Sequence, residues 1–211
     1  MDKITTEMLP ALFRSVADIM AQNADRLCEM DAAMGDGDLG LTMKKGFAAL
    51  PELIAECDEP DLGKRLARAG MKMSSVVPST MGTLMSSGVM TGGKAISGRE
   101  AIDAAALAVF LRGFADGIIK RGKCEVGQRT VLDAISPAAD AAEKAAADGA
   151  LLSDTAAAAA DGAARGVEAT KSMAPVFGKA AVFSAKAIGV EDQGAVAGAL
   201  FVSGLKNYIC G

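Results

Sequence analysis

The chain has 211 residues, and 22 Lys+Arg against 26 Asp+Glu leave a formal charge of −4, with no histidine to modify it. Without histidine, no Ser-His-Asp triad, His-ligated zinc site or phosphohistidine relay can be built within the chain, so acid, base and metal chemistry falls to carboxylates, lysines, hydroxyls and backbone. At this length one core is feasible, because chains of roughly 150 to 300 residues bury about 70 to 75% of their unfolded surface, and one domain over residues 1–211 is the expectation.

Alanine, leucine and methionine dominate and β-branched alternation is scarce, so the elements read as helices throughout. The first starts near Thr5 or Thr6, carries Met8, Leu12, Val16, Ile19 and Met20 on one face, and runs toward Glu29 before a loop from Asp31 to Gly40. The second spans Leu41 to Leu50 and is stopped by Pro51; the third spans Leu62 to Val77, before Pro78; the fourth begins after Ser79 or Thr80. A fifth runs from Arg99 to about Lys120, with Ile102, Ala105, Ala106, Val109, Phe110 and Gly113 in helical register, and the glycine-rich turn Arg121 to Gly127 closes it. Three more follow: Thr130 to about Asp148, Ser153 to about Ser172, and Gly194 to about Tyr208. Small side chains let such helices pack closely, so an all-α antiparallel bundle with few core aromatics is the expected architecture.

The 51% apolar content comes largely from alanine, and no stretch of about 18 or more strongly apolar residues appears. No membrane association is expected. Mild acidity without blocks of like charge argues against a nucleic-acid partner. Cys28, Cys57, Cys124 and Cys210 are far apart and form no C-x-x-C pair. The start MDKITTEMLPALF does not read as a secretory leader, so a cytoplasmic location is expected.

The segment MDAAMGDGDLGLTM, residues 30 to 43, places Asp31, Asp36 and Asp38 in a D-x4-D-x-D pattern punctuated by Gly35, Gly37 and Gly40. Carboxylates so close repel one another, and glycines let the backbone turn them together, an arrangement that cations stabilise. Oxygen ligands of this kind suit Mg2+ or Ca2+. An EF-hand is excluded by spacing, and a dinucleotide loop by the carboxylates that would face its phosphates. A solvated turn built of Asp and Gly is the competing reading.

This loop resembles the GDGD signature of the nucleotide-binding L subunit of dihydroxyacetone kinase, the DAK2 domain. Residues 115 to 133, ADGIIKRGKCEVGQRTVLD, are similar to that family's glycine-lysine turn and following helix, and residues 178 to 195, GKAAVFSAKAIGVEDQGA, to its closing loop. The resemblance implies an eight-helix antiparallel barrel with ADP or ATP at one end, bound through two Mg2+ ions on Asp31, Asp36 and Asp38. It implies phosphoryl transfer to dihydroxyacetone, or a similar short ketose, held on a histidine of a separate K subunit. In one branch of the family bound ADP is recharged by a phosphocarrier protein of the sugar phosphotransferase system; in another, free ATP is used.

The amides of Leu39, Gly40, Leu41 and Thr42, with the Thr42 hydroxyl, can face phosphate oxygens at a helix start. Thr80, Met81 and Gly82 form a second helix start where backbone can approach a nucleotide, with Ser79 as a further hydroxyl. Gly127 and Thr130 match the turn that borders the nucleotide, and Asp192 and Lys179 match the closing loop, Lys179 standing where the family usually has arginine; Arg129 is a candidate phosphate contact. Leu39 stands where many members carry histidine, Met81 where many have serine, and Gln193 where many have proline. Two alternatives remain at this stage: a non-catalytic, nucleotide-loaded regulator that binds a transcription factor or another protein, and an ATP-binding domain like that of fatty-acid kinases.

Overall fold

In the computed structural model, residues 2–177, 181 and 187–211 are described. Among them are nine α-helices: α1 (Leu9–Gln22), α2 (Ala24–Ala32), α3 (Leu39–Ala55), α4 (Leu62–Val76), α5 (Thr80–Ala95), α6 (Ala104–Gly122), α7 (Leu132–Ala147), α8 (Leu152–Ala169) and α9 (Gln193–Cys210). The eight expected helices are all present, the first being divided at Asn23 into α1 and α2. Asn23 turns at φ −106°, ψ 9°, and its side-chain amide donates to the Ile19 carbonyl at 2.8 Å, closing α1 where the expected helix ran on.

Several helices begin where a short acceptor takes up a free amide: Asp61 for α4, Ser79 for α5, Asp103 for α6 and Asp192 for α9. The fifth expected helix therefore starts at Ala104, after its cap, rather than at Arg99. Pro51 does not end α3, which continues to Ala55. Its ring is buried beside Leu50 and Ile54, so the apolar turn that the helix gains offsets the missing amide hydrogen bond. At the end of α6 the left-handed residue is Lys123, at φ 54°, and not the adjacent glycine.

The helices pack in chain order, α3 on α4, α4 on α5, and so on to α8 on α9, and α9 returns to pack on α1, which also meets α3. A ring of eight helices is thereby closed, with α2 lying outside it against α3. Neighbours run antiparallel. Gly63 of α4 meets Gly93 and Ile96 while Gly70 meets Ser86 and Met90 of α5, and Gly162 and Gly166 of α8 meet Pro137 and Asp133 of α7 in the same reversed order.

The ring is filled by one large buried cluster that contains members of all the ring helices. Aromatics are few but concentrated: Phe201 of α9 lies 4.5 Å from Phe114, 5.7 Å from Phe47 and 6.5 Å from Phe13, ring centre to ring centre. A β-bridge between Ile4 and Ile102 ties the amino-terminal segment to the entry of α6. Among the described residues no helix is long and apolar enough to cross a membrane.

Candidate functional site

Because neighbouring helices alternate in direction, α3, α5, α7 and α9 all begin at the same end of the ring. A cavity of about 580 Å3 opens there, walled by the first residues of α3, α5 and α9, by Arg129, Thr130 and Val131 in the turn into α7, and by the acidic loop. Asp31, Asp36 and Asp38 all line it. Asp31 is in the last turn of α2 rather than in the loop itself. Its Oδ2 accepts the amides of Gly37 (2.9 Å) and Asp38 (3.2 Å), and its Oδ1 accepts Gln193 Nε2 at 3.4 Å. The carboxylate thus folds the loop back on the helix that carries it. Gly35 is needed for that fold, because a Cβ there would run into the Asp31 carboxylate, and Gly37 supplies the left-handed turn at φ 78°.

Asp38 occupies the N-cap position of α3, yet its side chain caps nothing, whereas Asp61, Asp103 and Asp192 in the same position each accept an amide. Asp38 therefore contributes a carboxylate to the cavity without spending it on its own helix. The three acids share a wall, but among the described residues no three acidic, cysteine or histidine side chains are drawn closely enough together to form a ready cation cage. Their donor chemistry is nonetheless that of a hard divalent cation, being carboxylate oxygen beside glycine-rich backbone.

The other expected residues divide into two groups. Leu39, Thr42, Thr80, Met81, Thr130 and Asp192 line the cavity with the acids. Gly40, Leu41, Gly82 and Gly127 are not part of its wall. Gly40 is pressed against the backbone of Ala24 in α2, and Gly82 against Val77, so these glycines serve helix packing. The Leu41 side chain is 62% exposed and turns away to solvent. Gly127, at φ 93°, makes the turn before α7 and gives its amide to Asp133. Lys179 lies outside the described residues.

The turn into α7 holds groups that composition did not single out. Asp133, buried, accepts the amides of Gly127 and Thr130, while Thr130 Oγ1 accepts the Leu132 amide at 3.2 Å. Thr130-x-x-Asp133 has the spacing of a capping box, of which the Asp133 half is made, while the Thr130 hydroxyl takes the Leu132 amide and the Asp133 amide goes to the Thr130 carbonyl. Arg129, beside it, lines the cavity while 3% exposed. Asp192 is buried, and burial pushes its pKa up to about 6 against the pull of the Ala195 amide and Arg129 charge, with Asp133 adding to the rise.

Sequence comparison decides the family, since the chain matches the DAK2 domain over residues 33–207. The chain belongs to the DAK2 domain family. Its relatives include the PEP-dependent dihydroxyacetone kinase 1, ADP-binding subunit DhaL, of Listeria innocua, 32% identical over 85% of this chain and 84% of that protein. The corresponding ADP-binding subunit of Escherichia coli is 28% identical over 84% of this chain and 85% of its own length. A D-erythrulose kinase of Mycolicibacterium smegmatis is 29% identical over 89% of this chain, which spans a third (33%) of that longer protein.

Among solved structures, the dihydroxyacetone kinase of C. freundii in its native form superposes with a TM-score of 0.72 at 21% identity, over 99% of this chain and 36% of that one. The same enzyme in complex with AMP-PNP and Mg2+ gives 0.68 at 24% identity, over 96% and 34%. These two likenesses establish the fold of this DAK2 chain. Of the four positions where the sequence departs from the pattern of the resemblance, Leu39, Met81 and Gln193 line the cavity, and Lys179 lies outside the described residues.

Proposed function

We propose that the chain is the nucleotide-binding subunit of a kinase, which transfers a phosphoryl group to dihydroxyacetone or a similar short ketose presented by a separate sugar-holding K subunit. The observation that carries this reading is the convergence of four helix starts and three acidic side chains on one cavity. Each helix start brings the positive end of a helix dipole, and that of α3, which has no side-chain cap, also brings uncapped amides, so the wall attracts polyanions. The acids would repel a polyphosphate directly. A divalent cation between them reconciles the two, and Asp31, Asp36 and Asp38 are the residues that would hold one or two Mg2+ ions. When bound, Mg2+ would neutralise charge on the phosphates and on the transferring group.

The residues of the chain have separable tasks in this reading. Asp31 keeps the loop closed through the Gly37 and Asp38 amides. Asp36 and Asp38 present carboxylates to the cation. The helix starts at Leu39 and Thr80, with the Thr42 hydroxyl, orient phosphate oxygens, while Thr130 and Asp192 bound the pocket on its far side. ADP or ATP fits this description, as does the naming of relatives as ADP-binding subunits and as kinases of dihydroxyacetone and erythrulose. Since the chain contains no histidine, a sugar held covalently on that residue would have to come from the partner. A phosphocarrier of the sugar phosphotransferase system would recharge bound ADP if the chain belongs to that branch, and retention of ADP through purification would be the result expected of it.

Titration calorimetry tests the reading. The chain is expected to bind ADP in Mg2+ and to lose that binding in Asp36→Ala and in Asp38→Ala, with the helical circular dichroism kept. Unchanged affinity in both variants would overturn the assigned metal role. Sugar phosphate formed with a K subunit, dihydroxyacetone and a phosphoryl donor separates a kinase subunit from a nucleotide-loaded regulator, which yields none.

A further inference from the structure

Arg129 stands in the cavity wall at the turn into α7, with its backbone in the left-handed region at φ 58°. A residue with a side chain is strained there where glycine would not be, and such strain persists when the side chain is needed. Nη2 donates to the carbonyls of Val190 (3.0 Å) and Glu191 (3.3 Å), so the guanidinium holds the segment that leads into α9. Nε and Nη1 are buried and have no acceptor.

That leaves a charged group partly unpaired inside the protein. A guanidinium cannot shed its proton to escape burial, and unpaired buried donors carry the full desolvation cost unless an anion joins them. The neighbouring carboxylates do not fill the gap. Asp133 is engaged by the amides of Gly127 and Thr130, Asp192 accepts the Ala195 amide, and neither accepts from Nε or Nη1. The planar fork of arginine matches the paired oxygens of a phosphate. Among the described residues that line the cavity, the others with charge are the aspartates, so Arg129 supplies cationic charge to a wall otherwise acidic.

We propose that Arg129 is an anion contact of this site: its Nε and Nη1 take oxygens of the terminal phosphate of a nucleoside diphosphate, while Nη2 keeps hold of the Val190–Glu191 backbone. The assignment rests on the nucleotide-binding reading above. The terminal phosphate is the member of the ligand that carries most charge, which a buried cation offsets best. One side chain then joins the ligand's charge to the entry of α9, so a bound diphosphate tightens that segment against the turn before α7. A nucleoside without phosphate gains nothing from it.

Calorimetry of the full chain in Mg2+, with ADP and with adenosine, tests this in the wild type, Arg129→Lys and Arg129→Gln. In Arg129→Gln the affinity for ADP is expected to fall by roughly 10- to 100-fold, the scale of a lost charge-assisted contact. Adenosine affinity is expected to change by less than about twofold, and Arg129→Lys to recover part of the ADP affinity, as a point charge without the fork should. Unchanged ADP affinity in Arg129→Gln, beside a wild type that binds ADP, overturns the Arg129 assignment and leaves the nucleotide site standing. A wild type that binds no ADP overturns both. Equal losses for ADP and adenosine reduce Arg129 to a fold-holding residue and likewise reject the proposal. Should Arg129→Gln fail to fold, the Nε–H resonance of Arg129 in the wild-type chain decides: a downfield shift with ADP and none with adenosine supports the contact, and no shift with either rejects it.

Discussion

At the start of α9, the Asp192 carboxylate is nearly out of reach of water, and its acidity follows from that position. Burial moves its pKa from 3.8 in the unfolded chain up to about 6, and the Ala195 amide and Arg129 offset this in part. A folded-state pKa above the unfolded one means that the folded chain takes up the proton more readily. The contribution of this group to stability is therefore fully present below pH 3.8 and lost as pH rises through 6. A shift of this size corresponds to roughly 3 kcal/mol. Asp192→Asn keeps an acceptor for the Ala195 amide but cannot titrate. Between pH 7 and pH 4 the wild type should gain about that much stability relative to the variant, measured by urea unfolding. Parallel curves for the two proteins would show that the carboxylate is not so buried.

The same residues illustrate what a sequence discloses at this scale. Asp31, Asp36 and Asp38 were visible because unusual spacing of acids and glycines is a local pattern. Thr130 and Asp192 were visible through the resemblance. Arg129 is visible in the sequence only as a candidate phosphate contact with a solvated alternative, and Asp133 not at all, since the importance of both comes from burial. Gly40 and Gly82 show the converse. Both lie within motifs that face the cavity, yet each is used for close approach of backbone on its other side.

Among the helices, glycine is mostly a packing residue. In α6, Gly117 lies so close to Ser87 of α5 that a Cβ would run into the Ser87 carbonyl oxygen, while a Cβ on Gly122 would meet the end of the Leu84 side chain at 3.0 Å. Helix propensity alone predicts that alanine stabilises either position by up to about 1 kcal/mol. At Gly117 the contact should win, because backbone of a packed neighbour cannot move aside: Gly117→Ala is expected to lose about 1–3 kcal/mol. Gly122→Ala should be close to neutral, since a leucine terminus can rotate. Thermal unfolding of both variants separates the two effects, and equal behaviour would show that the α5–α6 spacing is set elsewhere. Helix boundaries were legible at Leu62 and Thr80, behind the caps Asp61 and Ser79, but not at Ala104, where the sequence suggests a start at Arg99, ahead of the cap Asp103. They were not legible at Pro51, where burial of a further turn outweighs a local rule that assumes an exposed helix.

Across the whole molecule, closure of the ring is what turns separate motifs into a site. Asp31 and Gln193 are far apart in sequence and meet because α9 returns to α1, where Gly204 packs on Val16 and Ser15 Oγ donates to the Gly204 carbonyl at 2.8 Å. Periodicity gives each helix its apolar face but not its neighbours, so alternation from short connections was readable and closure was not. It came from the resemblance, and the packing order bears it out. Phe201 is where closure is enforced, fully buried and ringed by Phe13, Phe47 and Phe114 from three other helices. Removing its ring leaves a cavity that the surrounding helices cannot fill by moving singly, so Phe201→Ala should cost about 3–5 kcal/mol. Because α9 also carries Gln193 and Gly194 into the cavity wall, loosening it at Phe201 should weaken ADP binding as well, although Phe201 is not among the residues that line the site. Phe201→Leu keeps most of the volume and should lose less of both. Urea unfolding and ADP calorimetry on the two variants check the coupling; a Phe201→Ala protein that is destabilised but binds ADP as the wild type does would mean that the wall near Gln193 is held by the Arg129 turn and not by the seat of α9 in the core.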